Sequence, residues 1–251
     1  MSPAGLVVVP TYDEAENIEM VLGRIRVAVP DLDILVVDDA SPDGTGKLAD
    51  RAAADDAHIH VLHGPRKRGL GSAYLAGFAW AFDRGYDVIV EMDADGSHLP
   101  EQLPALLEAL RDADLALGAR WVPGGRVVNW PLRRRLLSRC GNAYVRLVLG
   151  LPLEDATGGF RAFRRETLEG LDLASVNSQG YCFQVDLARR AVLAGYRVVE
   201  VPITFVERTH GRSKMSRAIV REALLRVSMW GLHHRVEQLR SIAGAQPAGR
   251  H

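Results

Sequence analysis

The side chains with the clearest chemical potential lie between Val88 and Pro100, in VIVEMDADGSHLP. Asp93 and Asp95 are separated by one small residue and follow Val88 to Val90, an apolar run that reads as a buried strand. Successive side chains of an extended chain point to opposite faces, so both carboxylates reach one ligand only if the chain bends. Ala94 and Gly96 permit that bend. Two carboxylates crowded at a strand end repel each other unless a cation lies between them, and hard oxygen donors of this kind suit Mg²⁺ or Mn²⁺. Ser97 can add a hydroxyl, leaving the other coordination positions to phosphate oxygens and water. A polar turn that merely ends a strand accounts for the same residues about as well, since Asp and Gly are ordinary turn formers.

A different chemistry lies further along, where the charge reverses. Residues 1–114 carry 21 Asp and Glu against 9 Lys and Arg; with 31 of each in the chain, the remainder holds 10 against 22. A net charge of zero therefore hides two parts of −12 and +12. No acid occurs from Leu115 to Leu153, whereas Arg120, Arg126, Arg133, Arg134, Arg135, Arg139 and Arg146 all fall there. Such separation suggests a first part that holds a metal and a second that meets an anion. Pro131 suits the start of a helix, along which Leu132, Leu136, Cys140, Tyr144 and Leu147 line one face. Arg134 and Ser138 lie one turn apart on another face, within reach of one phosphate. A solvated basic face is the alternative. Further on, ERTHGRSKMSR from Glu207 to Arg217 places Arg208 and Lys214 around Gly211 and Ser213 in a loop able to close over a diphosphate and exclude water.

These residues need a scaffold, and the pattern supplies one. At 251 residues and 47% apolar content the chain can bury one large core, or two at most. Strands are expected at Leu6 to Val9, Ile34 to Val37, His58 to Leu62, Val88 to Val90 and Leu115 to Leu117, with helices at Glu14 to Val27, Thr45 to Ala54, Ser72 to Asp83 and Pro100 to Leu110. Alternation of apolar strands with helices predicts an α/β fold with a largely parallel sheet covered on both faces. Ligands of such sheets gather at the carboxyl ends of the strands. Past Ala119 the alternation loosens: Trp121 to Trp130 reads as a flexible loop able to serve as a lid, and in Ala156 to Glu166, ATGGFRAFRRE, two glycines permit close backbone approach to a ligand or form a turn before a short strand. Tyr181 to Ala194 reads as a helix, and Arg197 to Glu200 and Pro202 to Val206 as strands. Ser216 to Ile242 reads as a long amphipathic helix and Gly244 to His251 as a disordered tail. The resulting division is a domain over 1–217, a helix over 218–243 and a tail over 244–251.

Three strand-to-helix junctions deserve a chemical reading. In PTYDEAEN, Pro10 to Asn17, Tyr12 can stack on a base while Asp13 and Glu14 suit the next helix dipole. In VVDDASPDGTG, Val36 to Gly46, Asp38 or Asp39 can accept hydrogen bonds from a base or ribose, or simply shape a turn. RKRGLGSAYLAG, Arg66 to Gly77, has Tyr74 where a dinucleotide fingerprint wants a third glycine, so it reads as a tight helix entry. Cys140 and Cys182 match no metal or redox spacing and read as buried small hydrophobes in a reducing compartment. No signal peptide or membrane-length apolar run is present, which points to the cytoplasm, and no nucleic-acid partner is expected.

PTYDE, DDASPDGT, MDADGSH, GARWVPGG, WPLRRRLLSR, TGGFRAF and RTHGRSK stand in the order found in family 2 inverting glycosyltransferases of the GT-A fold. Over nearly the whole chain, to about Arg217, the sequence resembles the polyprenyl-phosphate (dolichyl-phosphate) mannose synthases among them. The resemblance implies GDP-mannose as donor and a polyprenyl phosphate as acceptor. It implies that Pro10, Tyr12, Glu14, Val37 and Asp39 hold the nucleotide, that Asp93, Asp95 and Ser97 serve Mg²⁺ or Mn²⁺, and that Ala94 lies against the nucleotide sugar. Arg120, Arg134 and Ser138 would hold the acceptor phosphate; Arg208 and Lys214 would contact donor phosphates, and Asp95, Arg120, Arg208 and Lys214 would carry the catalysis. Many relatives continue into transmembrane helices that are missing here, so attachment is expected at the cytoplasmic face of a membrane through amphipathic helices, with an integral membrane partner protein as an open expectation. A phosphate acceptor is already anionic and needs no general base; Asp155 and Glu200 are the candidate bases should the acceptor be a hydroxyl. Rival readings are a UDP-sugar transferase to the same lipid, a regulator that binds nucleotide sugar without turnover, and a nicotinamide-dependent dehydrogenase.

Overall fold

Apolar runs buried on both faces form the centre of the molecule. The computed structural model describes residues 4–176, 178, 180–208 and 223–232. Strands β1 (Gly5–Thr11), β2 (Asp33–Asp38), β3 (Ile59–His63), β4 (Val88–Glu91) and β5 (Leu115–Ala119) alternate with helices α1 (Ile18–Ala28), α2 (Thr45–Asp55), α3 (Leu70–Arg84) and α4 (Leu103–Ala109). After them come β6 (Arg126–Val128), α5 (Leu132–Leu149), β7 (Arg161–Arg164), α6 (Arg165–Glu169), α7 (Tyr181–Leu193), β8 (Val198–Pro202) and β9 (Thr204–Val206). Residues 223–232 are helical.

Seven strands form one sheet in the order β3-β2-β1-β4-β7-β5-β8. Every pair is parallel except those made by β7, which runs antiparallel between β4 and β5. The carboxyl ends of the parallel strands therefore share one edge with the start of β7. One face of the sheet is packed by Tyr74 and Phe78 of α3, Val145 and Leu149 of α5 and Phe183 of α7. The other is packed by Ile18, Val21 and Leu22 of α1 and by Leu103 and Leu106 of α4. β6 pairs with β9 in a separate parallel ribbon, tied back to the main fold by a bridge between His98 and Phe205.

Several expectations shift. α1 begins at Ile18, not Glu14, because Glu14 is held outside the helix by its own N–H donating to Thr45 Oγ1 at 3.0 Å. The loop expected from Trp121 to Trp130 contains β6. The apolar stripe of α5, whose direction the sequence left open, turns largely to solvent: Leu132, Leu136 and Leu147 are exposed at 71%, 55% and 77%, while Asn142, Val145 and Leu149 are buried. Helical spacing says which residues share a face, not where that face points. Cys140, on that stripe, is exposed, contrary to expectation, whereas Cys182 is buried. The helix expected over Ser216 to Ile242 is described only at 223–232; its remainder, the tail from Gly244 and the boundaries at 217 and 243 lie outside the described residues. Among the described residues no helix is long and apolar enough to cross a membrane.

Candidate active site

The acid pair closes β4 as a tight turn. Gly96 adopts φ +73°, a left-handed conformation that costs glycine nothing, and Ala94 is buried behind the bend. Asp95 Oδ1 accepts the Ser97 N–H at 2.9 Å, and its Oδ2 lies 2.8 Å from Arg208 Nη2. The Asp93 N–H donates to His98 Nδ1 at 3.2 Å. His98 is stacked on Phe160 at 5.0 Å and met edge-on by Phe205 at 5.2 Å; burial pushes its imidazole down to about 4, so it is neutral and accepts through Nδ1. Ser97 is fully buried, and among the described residues its hydroxyl has no hydrogen-bond partner. This geometry fits a divalent ion: the donors are hard oxygens, one faces a cation already, and another is unused. Among the described residues no three His, Cys, Asp or Glu side chains converge, so an ion here would draw the rest of its shell from phosphate oxygens and water.

Beside this turn stand the loops after β1 and β2. Asp13 and Ala40 have φ of 55° and 59°, uncommon for non-glycine residues, and both lie where the chain leaves a strand towards the shared edge. Tyr12 lies under Lys67 Nζ, 3.6 Å from the ring centroid. Glu14 is buried and accepts from Asn17 Nδ2 at 2.9 Å. Asp39, expected to hold the nucleotide through its base or ribose or to shape a turn, accepts the N–H groups of Arg68 and Gly69 at 2.7 to 2.8 Å and so fixes the entry to α3. Asp38 accepts from Thr11 Oγ1 and Ser41 Oγ. Pro10 and Val37 pair with each other inside the sheet, and the Val37 side chain packs into the core; they support the rim from behind.

Behind the acid turn lies a buried pair that sequence reasoning passed over. Glu91 and Arg161 are both fully buried, Nε standing 3.8 Å from Oε2. Burial pushes the Glu91 carboxyl up to about 8 against the pull of Arg161. The Arg161 guanidinium donates to the carbonyls of Gly158, Gln184 and Ala156. Tyr74 is fully buried near Asp93 and Glu91, and burial raises its phenol well above the ordinary value. The legible signal was an acid ending an otherwise apolar strand, VIVE, and an arginine opening β7.

The arginine side converges on a pocket lined by Arg120, Trp130, Arg134, Ser138, Tyr144 and Cys182, with Leu224 and Val227 from 223–232 on its wall. Arg120, Arg134 and Ser138 are thus brought together as expected. Arg120 is 5% exposed and gripped by Asp155, whose Oδ2 accepts from Nε at 2.7 Å and from the Arg120 N–H at 2.8 Å while Oδ1 accepts from Nη2 at 2.6 Å. Asn142 Nδ2 adds a bond to Asp155 Oδ1 at 3.0 Å. Arg134 lies 4.0 Å from the Trp130 ring centroid and forms an ion pair with Glu207. Ser138 Oγ accepts from Trp121 Nε1 at 3.3 Å. The alternative bases are corrected here: Asp155 is fully buried and saturated by Arg120 and Asn142, and Glu200 accepts the N–H groups of Glu154 and Asp155. Lys214 lies outside the described residues.

A largely parallel α/β sheet with an acid turn at its carboxyl edge is a GT-A arrangement. The chain belongs to glycosyl transferase family 2, whose model matches residues 6–171. Undecaprenyl-phosphate mannosyltransferase of Micrococcus luteus is 58% identical to it over 239 residues, 95% of this chain and 98% of that one. Polyprenol monophosphomannose synthase of Mycolicibacterium smegmatis is 56% identical over 239 residues, 94% of this chain and 90% of that one. Among solved structures, a mannosyltransferase from Pyrobaculum calidifontis in complex with GDP-Man and Mn²⁺ superposes with a TM-score of 0.58 at 21% identity, covering 99% of this chain and 77% of that one; this shows a shared fold.

Proposed function

We propose that the protein transfers mannose from GDP-mannose to a polyprenyl monophosphate, with inversion at the anomeric carbon. The observation that carries the reading is the meeting of an acid turn with a pocket bearing Arg120 and Arg134, at which the candidate bases Asp155 and Glu200 are held by hydrogen bonds. Hydroxyl acceptors need such a base; a lipid phosphate is a nucleophile already and needs orientation. Of the two candidate bases, Asp155 accepts from Arg120 and Asn142, and Glu200 accepts the N–H groups of Glu154 and Asp155. The names of the two relatives more than half identical to the chain supply the sugar and the lipid class.

In this reading Asp93 and Asp95 hold a divalent cation, Mg²⁺ or Mn²⁺, with Ser97 as a further oxygen, and the rim of Tyr12, Glu14 and Asp39 seats the nucleotide. The ion supplies charge neutralisation for the departing diphosphate. Arg208 adds positive charge on the same side, and Lys214 is assigned the same role from the sequence resemblance alone. Arg120, clamped by Asp155, and Arg134, with Ser138 one turn on, orient the acceptor phosphate for in-line attack. The exposed leucines of α5, together with exposed Leu225, Met229 and Leu232 of 223–232, form an apolar surface among arginines that suits the cytoplasmic face of an anionic membrane.

The test incubates purified protein with Mg²⁺ or Mn²⁺, a polyprenyl phosphate, and GDP-mannose, UDP-glucose or UDP-N-acetylglucosamine in parallel, then identifies the lipid by mass spectrometry. Mannosyl-phosphopolyprenol from the GDP-mannose arm alone is expected. A product from a UDP arm instead transfers the reading to a different donor.

A further inference from the structure

The segment that joins β5 to α5 returns two tryptophans to that helix. The Arg134 guanidinium carbon lies 4.0 Å from the Trp130 ring centroid, and Trp121 Nε1 donates to Ser138 Oγ at 3.3 Å. The two indoles meet edge to face at 6.4 Å, and Trp130 meets Phe205 in the same way at 5.3 Å. The turn that follows Trp121 has little room to relax. Gly124 adopts φ +87°, and a Cβ on Gly125 would stand 2.6 Å from the Ala119 carbonyl oxygen and 2.8 Å from that of Arg120. VPGG therefore folds back on the end of β5, which sets where Trp121 leaves the strand.

An indole N–H can only donate, whereas a serine hydroxyl has one proton to give and two lone pairs to receive with. With a lone pair of Ser138 taken by Trp121, the hydroxyl keeps its proton for another acceptor. A helical serine can return that proton to the carbonyl one turn back, but among the described residues the bond from Trp121 is the only hydrogen bond that the Ser138 hydroxyl makes. Ser138 lines the same pocket as Arg120 and Arg134, where an anion is the acceptor that the charges favour. We propose that Trp121 is a positioning residue for the acceptor: by donating to Ser138 Oγ it commits that hydroxyl to donate to an oxygen of the lipid phosphate beside Arg134. The inference rests on the acceptor side assigned above. A hydroxyl that accepts from an N–H is polarised into a stronger donor, and more so where water is scarce. Trp121 acts through Ser138 and needs no contact with the phosphate.

Steady-state kinetics of the full chain with farnesyl phosphate, GDP-mannose and Mn²⁺ test this. Trp121→Phe removes the N–H and keeps an aromatic ring against Trp130 and Arg139. It is expected to raise KM for farnesyl phosphate about threefold to tenfold, with kcat and the KM for GDP-mannose within about twofold of wild type. Ser138→Ala is expected to raise the same KM at least as far. Trp121→Phe added to Ser138→Ala is expected to change nothing more, because the indole then has no hydroxyl to orient. An unchanged farnesyl phosphate KM in Trp121→Phe overturns the proposal. So do equal rises in both KM values, or effects that simply multiply in the double variant, either of which a merely structural ring would give. Should Trp121→Phe not fold, wild type labelled with ¹⁵N-tryptophan answers in its place. The indole N–H signal displaced by Ser138→Ala is expected to shift when farnesyl phosphate is added, and a signal that stays in place overturns the proposal. Mannosyl lipid made by the wild type alongside any of these failures sinks the Trp121 role alone; no mannosyl lipid at all sinks the functional reading, and this inference with it.

Discussion

The acid rim and the arginine pocket satisfy their charges in opposite ways. On the rim, three carboxylates accept from groups close at hand, Asp95 from the N–H two residues on, Asp38 from Ser41 Oγ and Asp43 from the Thr45 N–H, although Asp39 is met by the N–H groups of Arg68 and Gly69. In the pocket, arginines are matched from a distance, Arg120 by Asp155 thirty-five residues on and Arg134 by Glu207 seventy-three residues on. The cause lies in the donor inventory. Backbone N–H groups are available in any loop, so an Asp can be satisfied by its own turn, whereas guanidinium has donors only and needs a carboxylate or carbonyl. In a stretch without acids, that carboxylate must come from elsewhere in the fold. The rim therefore draws part of its bonding from its own turns and part from Thr11, Arg68 and Gly69, whereas the arginines of the pocket are matched only when remote segments are assembled.

Substitutions on each side can break that contrast. Asp95→Ala is expected to lower kcat/KM by more than about a thousandfold, with Mn²⁺-dependent GDP-mannose binding lost in the same variant. Activity within tenfold of wild type would remove Asp95 from the site. Asp155→Asn leaves a buried guanidinium without its carboxylate, which costs about 3–5 kcal/mol of stability. Urea unfolding measures it, and a loss under about 1 kcal/mol would show that Arg120 is held by something other than Asp155. Arg134→Ala removes charge-assisted contacts to the acceptor and raises KM for polyprenyl phosphate about tenfold to a hundredfold; a donor KM that rises in its place would reverse the assignment of the two sides.

The smallest effect concerns Glu91, behind the rim. Its folded-state value of about 8 lies above the ordinary carboxylate value, so the native chain keeps a proton that the unfolded chain releases. The stability this contributes is full below the ordinary value and is lost as pH rises through about 8. Glu91→Gln is expected to flatten that decline, which amounts to at most about 1.4 kcal/mol per pH unit. Urea unfolding of both proteins from mildly acidic to mildly alkaline pH would show parallel curves if Glu91 carries no proton.

Much of the donor half was legible. Apolar runs separated by helical spacing gave β1 to β5 and α1 to α4 within a few residues, and Asp93, Asp95 and Gly96 announced the bend that Gly96 makes. β7 was harder, since a strand spelled RAFR between arginine-rich neighbours does not look like the middle of a sheet; Arg161 is nonetheless fully buried there because three carbonyls and Glu91 receive it. Asp155 was read as a candidate base for want of its partner, although it stands among the first acids after a long run without any, where the arginines of that run would seek one. Glu207 drew no notice at all beside the basic residues that follow it.

Sequence alone determined the layered α/β architecture, the acid turn at a strand end and the polarity of charge along the chain, because those depend on residue type and on spacing within a few positions. Only the tertiary structure decided which carboxylate clamps Arg120, which covers Arg134, and which face of α5 turns to solvent. Those pairings join residues dozens of positions apart, and an arginine's long side chain carries no mark of the acid that will meet it until the sheet has brought the two together.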